Sequence, residues 1–200
     1  FDLMKYNPTA KVIEQIKGYE RLQDYHNFVH GVTYKSDENE INIATVMNNS
    51  VLDFQQVAEG CYMGVDVGKK LRVTVLKLVD GKWHVVALYT VLSSDDTAGE
   101  LEEIYNRYGC YRMVIDSAPD WTLCKIMLSK LQSFVHPCVY VEDNVKKPEA
   151  FYIKEDDNNM MLASRTVCLD SLVRVVNKGD MLFPRCDEMS EVRTHFGGMK

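Results

Sequence analysis

Two aspartates stand out by where they fall. Asp66 follows the run Tyr62-Met63-Gly64-Val65, and Asp116 follows Met113-Val114-Ile115. Each is a carboxylate at the carboxyl end of an otherwise apolar, strand-like segment. Taken singly, either reads as well as a turn former or a helix cap. Taken together they imply chemistry. If the two segments are neighbouring parallel strands, their ends lie about 4.8 Å apart on one edge of a sheet, where the ligand sites of α/β proteins gather. Two such charges repel by about 1 kcal/mol at 4 Å in water, and by several times that in a drier site. Either one carboxyl takes up a proton, as in an acid/base dyad, or a cation neutralises both. Oxygen-only donors favour Mg²⁺ or Mn²⁺, and two such ions about 3.5–4 Å apart suit phosphodiester hydrolysis. Asp66 and Asp116 are therefore the candidate catalytic and metal-binding residues.

Other candidates carry less. Lys69, Lys70 and Arg72 follow Asp66 closely and could touch a phosphate backbone, or simply be solvated edge charges. Gly64-x-x-x-Gly68-Lys69 is one residue short of a phosphate-loop spacing, with Lys70 where Ser or Thr is needed. Asp95-Asp96 reads as helix capping, and Glu155-Asp156-Asp157 as a solvated loop. Asp143 and Asp170 are further possible ligands. Neither His84 nor His136 has a nucleophile partner in view, and no Ser/His/Asp or Cys/His constellation is present.

These residues need elements to hold them. With 46% hydrophobic and 26% charged residues over 200 positions, the composition is that of a globular protein. No apolar run approaches the roughly 20 residues of a membrane span, and the start Phe1-Asp2-Leu3-Met4-Lys5 is unlike a secretory leader. That start, and the stop at Gly197-Gly198-Met199-Lys200, read as a piece of a longer protein. The six cysteines are scattered without a Cys-x-x-Cys pair, which argues against a zinc knuckle and fits a reducing cytoplasm. A net charge of −6 argues against nucleic-acid binding by bulk electrostatics alone. Contact with DNA must come from a local basic strip or through metal ions.

The pattern predicts a helix over 8–24 and a polar connector over 30–50. Strands follow over 62–67, 71–79 and 82–92, the last two joined by the hairpin signal Asp80-Gly81. A helix closed by Gly109, a strand over 111–115, a helix after Pro119 with an apolar face reaching Phe134, a strand over 138–141 and a helix stopped by Gly179 complete the order. Three antiparallel strands, then parallel strands alternating with helices, make a mixed sheet flanked by helices. This is the order of ribonuclease H-like folds, shared with half of an actin-like ATPase. The expected division is 1–60, a helix and connector, and 61–200, the ribonuclease H-like body.

In this order the residues resemble the nuclease domain of large terminase subunits, the DNA-packaging motors of tailed phages and herpesviruses. Asp24-Tyr25-His26-Asn27-Phe28-Val29-His30-Gly31-Val32-Thr33-Tyr34 is similar to the aromatic-rich stretch that joins their ATPase domain to the nuclease. Gly64-Val65-Asp66-Val67-Gly68-Lys69 resembles the first nuclease strand, and Val114-Ile115-Asp116-Ser117-Ala118-Pro119-Asp120 the strand of the second acid. Arg165 to Asp170, and Gly179-Asp180-Met181-Leu182-Phe183-Pro184, are similar to the late helix and the turn after it. Glu191-Val192-Arg193-Thr194-His195-Phe196 resembles a segment preceding the last motif.

The resemblance covers roughly 20–200. It implies a Mg²⁺- or Mn²⁺-dependent endonuclease, with two ions in the full site and Asp66 bridging them. The substrate it implies is concatemeric double-stranded DNA, cut with low sequence specificity. Implied partners are the small terminase subunit, the portal protein and an ATPase domain that would precede residues 1–60. The implied place is the host cytoplasm, or the nucleus for a herpesvirus, transiently at the procapsid portal, with no membrane partner. The third acid of the family has no counterpart here and is expected beyond Lys200, so these 200 residues alone are expected to cut weakly or not at all. Two alternatives stand beside this reading: a non-catalytic docking module for DNA or portal, and a fragment of an actin-like kinase or ATPase.

Overall fold

The computed structural model describes residues 41, 43–56, 58–92, 96–141, 151–154 and 158–185. All belong to one compact unit that begins at Ile41. The expectations for 8–24, 24–34, Asp95, Asp143, 155–157 and 191–196 lie outside the described residues.

Nine strands of the described residues form one sheet: β1 (Ser50–Leu52), β2 (Cys61–Asp66), β3 (Lys70–Val79), β4 (Lys82–Leu92), β5 (Cys110–Asp116), β6 (Val135–Val141), β7 (Phe151–Lys154), β8 (Met160–Ser164) and β9 (Met181–Pro184). Among the described residues four helices accompany them: α1 (Ile43–Asn48), α2 (Thr97–Arg107), α3 (Trp121–Leu131) and α4 (Arg165–Asn177). The spatial order is β1-β9-β4-β3-β2-β5-β6-β8-β7. The β4-β3-β2 run is antiparallel, while β5, β6 and β8 continue parallel to β2. This is the expected ribonuclease H-like mixed sheet.

The local signals act as their chemistry requires. Asp80 and Gly81 both take positive φ, 50° and 79°, the twist of a two-residue turn that suits the strand pair β3–β4. Gly179 ends α4 at φ 77°, a conformation a Cβ would strain. Alternation along β2 buries Cys61, Met63 and Val65 on one face. There they join Met113 and Ile115 of β5, Leu101 and Ile104 of α2, and Cys124 and Met127 of α3 in the main core. A smaller core on the other face joins Val46 of α1 and Val173 and Val176 of α4 to Val85, Met181 and Phe183.

Several boundaries differ from the sequence reading. Residues 41–50, read as connector, supply α1 and the start of edge strand β1, because Ile41 and Val46 are buried against α4 and β9. β6 starts at Val135 rather than 138; Pro137, paired with Ile115, masked the run. α4 begins at Arg165, where the Ser164 side chain accepts from the Val167 N–H at 3.3 Å. Phe134 is exposed in a 3₁₀ turn rather than on the apolar face of α3. Asp96 stands at the start of α2 but makes no side-chain cap bond. Strands β7, β8 and β9 were not foreseen. Among the described residues no helix is long and apolar enough to cross a membrane.

Candidate functional site

β2 and β5 are parallel neighbours in direct register, Gly64 opposite Val114 and Val65 opposite Ile115. Asp66 and Asp116 are the next residues along, so they stand side by side at the carboxyl edge, about one 4.8 Å strand spacing apart. Because Val65 and Ile115 point into the main core, the alternation of the pleat sends both carboxylates to the opposite face. Asp66 is exposed and Asp116 half-buried.

The same register extends the row. On β3, Arg72 is the cross-strand partner of Asp66, and on β4, Thr90 is the partner of Arg72. The Arg72 guanidinium donates to the Thr90 hydroxyl. On β6, Cys138 is the partner of Asp116. Reading across the rim gives Thr90, Arg72, Asp66, Asp116 and Cys138. Lys69 and Lys70 sit exposed where the chain enters β3. Below Asp66, a Cβ placed on Gly64 would meet no atom within 4 Å, so the floor beside the carboxylates is open.

The Asp116 loop is tied down by its own polar groups. Asp116 Oδ1 accepts from the Ala118 N–H at 3.0 Å. The Ser117 N–H and hydroxyl donate to the Cys138 carbonyl at 3.0 and 2.8 Å, and Asp120 Oδ1 accepts from the Thr122 and Leu123 N–H groups at the start of α3. These bonds fix the direction of Asp116 and leave its second oxygen uncommitted among the described residues. Asp66 makes no side-chain hydrogen bond or ion pair among them.

The neighbouring sulfurs are poor ligands. Burial, and then the negative charge of Asp116, push the Cys138 thiol up to about 11. The Cys124 thiol is pushed up to about 11 by burial first and by Asp116 and Asp120 after it. Both are protonated at neutral pH, so the available donors are carboxylate oxygens, a set that fits a hard divalent cation. Among the described residues no third His, Cys, Asp or Glu completes a cluster able to hold a metal ion. Asp170, a weaker candidate, lies on α4 and forms no such cluster. His136 is buried, with Nδ1 3.2 Å from the Asn159 carbonyl oxygen, and His84 lies in β4.

Two residues at this rim escaped the sequence reading. Tyr140 lies two positions beyond Cys138, on the same face, and Arg165 opens α4 with its guanidinium over the Tyr140 ring. The period-two spacing of Cys138 and Tyr140 was available as a signal. The placement of Arg165 beside them was not, because it depends on the β6–β8 pairing.

The fold is that of terminase nuclease domains. The large terminase of a thermophilic bacteriophage superposes with a TM-score of 0.54 at 12% identity, over 96% of this chain and 44% of that one. The human cytomegalovirus terminase nuclease domain, soaked with Mn and bound to an inhibitor, superposes with a TM-score of 0.50 at 10% identity, over 80% of this chain and 86% of that one. The chain thus spans under half the length of the phage protein. No protein-family model matches the sequence, and no curated protein matches it.

Proposed function

We propose that the chain is the nuclease module of a viral large terminase, a divalent-metal-dependent endonuclease that cuts concatemeric double-stranded DNA with little sequence preference during genome packaging. One observation carries this reading: Asp66 and Asp116 end adjacent parallel strands in register, on one face. Such a pair is costly without a counter-ion, and its oxygen donors match Mg²⁺ or Mn²⁺. Asp66 and Asp116 would hold the metal, Asp66 in the shared role that the resemblance to terminase nucleases implies. Bound divalent ions there would neutralise phosphate charge and lower the pKa of water for phosphodiester hydrolysis.

The chain's own residues do the rest. The Ala118 N–H and the Ser117–Cys138 bonds hold Asp116 in place, while Lys69, Lys70 and Arg72 offer positive charge to the DNA backbone beside Asp66. The open floor over Gly64 admits the substrate. The partners in this reading are double-stranded DNA, the small terminase subunit, the portal and an ATPase domain of the same polypeptide. Action would be in the host cytoplasm, or in the nucleus for a herpesvirus, at the procapsid portal.

A second reading, a docking module that holds DNA or portal without cutting, draws support from the missing third ligand among the described residues. Supercoiled plasmid separates the two. A form extended past Lys200 to supply a third acid is expected to nick and linearise plasmid with Mn²⁺ and to be silent in EDTA, while the 200 residues alone are expected to cut weakly or not at all. Asp66→Asn and Asp116→Asn are each expected to lower the rate by at least a hundredfold, on the order of 3 kcal/mol in the barrier. Cutting that survives both substitutions removes these residues from the chemistry. Metal-independent DNA binding without cutting, unchanged in both variants, favours docking.

A further inference from the structure

On the β6–β8 side of the carboxylates a tyrosine and an arginine meet at the same rim. Cys138 is the register partner of Asp116, and Tyr140, two residues on, shares its face. One strand spacing across and two residues along put Tyr140 roughly 8 Å from Asp116. The negative charge of Asp116 reaches its phenol, which is pushed up by partial burial first and then by Cys138 and Asp116. The Arg165 guanidinium carbon lies 5.9 Å from the centroid of the Tyr140 ring. Arg165 is exposed and forms no ion pair among the described residues. Among the described residues of β7, Lys154 pairs in register with Met160 at the amino end of β8, away from the rim.

The charge balance gives this pair a role. The chain carries a net charge of −6, and the rim itself holds two carboxylates, so a duplex arriving there meets repulsion unless cations flank the acids. Lys69, Lys70 and Arg72 do so beyond Asp66. Arg165 does so beyond Asp116. An arginine on open surface loses rotamer freedom when it grips a phosphate, whereas one stacked on an aromatic ring is partly ordered beforehand.

We propose that Arg165, held over Tyr140, is a substrate-positioning residue that contacts a DNA backbone phosphate on the Asp116 side of the cut, so that the duplex crosses the rim from β3 to β8. The inference rests on the nuclease reading above, and adds to it a second anchoring point and the direction of the DNA. Arg165 touches phosphate and not the reacting atoms.

The test measures a short duplex binding to the chain in EDTA across a salt series, alongside Mn²⁺-dependent cleavage by the cutting-competent form. Arg165→Ala is expected to flatten the slope of log affinity against log salt by about 0.9, the increment for one phosphate no longer neutralised. It should raise KM several-fold and leave kcat within about twofold. Arg165→Lys should keep the slope. Tyr140→Leu should also keep the slope while weakening binding about two- to fivefold, the worth of an exposed cation–π interaction. Wild-type slope and affinity in Arg165→Ala would overturn the proposal and leave the nuclease reading standing. A flattened slope in a protein that never cuts would sustain the phosphate anchor and overturn the nuclease.

Discussion

Replacing Asp116 by Asn tests the central geometry without asking for catalysis. The amide is isosteric, and its oxygen can still accept from the Ala118 N–H that Asp116 Oδ1 binds at 3.0 Å, so the loop should keep its shape. What changes is the charge beside Asp66. At a separation of about 5 Å, Coulomb's law gives roughly 0.8 kcal/mol of repulsion in water and about 3 kcal/mol at an effective dielectric of about 20. Because Asp66 is exposed and Asp116 only half-buried, the relief should lie near the lower value, about 1 kcal/mol. In buffer of about 0.01 M ionic strength, with a screening length of about 30 Å, most of that is left intact. In EDTA, Asp116→Asn should therefore melt about 2–4 °C higher than wild type. With Mn²⁺ the order should reverse. Mn²⁺ at about a hundredfold its Kd adds about 2.7 kcal/mol to the native state, roughly 5–10 °C, and the variant should forfeit most of it. Differential scanning fluorimetry with and without Mn²⁺ reads both numbers. A variant that melts no higher in EDTA and keeps the full Mn²⁺ rise would show that the two carboxylates share no cation.

Three further outcomes follow from the same structure. Burial raises the thiols of Cys61, Cys110, Cys124 and Cys138 from an ordinary value of 9.0, Cys110 to about 12 and Cys124 and Cys138 to about 11. A raised thiol binds its proton more tightly when folded, so its stabilisation is whole below pH 9 and is lost as pH climbs toward 11–12; a melting temperature flat between pH 8.5 and 11 would contradict this buried set. Asp120→Ala removes the acceptor for the Thr122 and Leu123 N–H groups and should cost about 1 kcal/mol, measured by urea unfolding; no loss would mean that the cap is not made in solution. Gly64→Ala should stabilise β2 by about 0.5–1 kcal/mol, since the added methyl meets nothing within 4 Å, and a lower melting temperature would mean that the space above Gly64 is filled.

The sequence by itself determined the central architecture. The short apolar runs of β2 and β5, the Asp80-Gly81 turn between β3 and β4, and glycines at 109 and 179 are local signals, and each acts where it stands because its cause is a backbone or strand preference within a few residues. The position of Asp66 and Asp116 at strand ends was legible for the same reason. Only the tertiary structure decided the rest. That β2 and β5 pair directly, in a register that sets the two aspartates side by side, depends on residues about 50 apart in sequence meeting. So does the inclusion of α1 and β1, since Val46 of α1 and Ile41 just ahead of it acquire meaning only against Val173, Val176 and Phe183. The start of β6, ahead of the predicted 138–141, hid behind Pro137, a residue that argues against a strand until the parallel neighbour β5 supplies its place in the sheet. Arg165 and Tyr140 were anonymous in the sequence because a cation and a ring so far apart along the chain become a unit only when β6 and β8 pair and the start of α4 is brought to the rim.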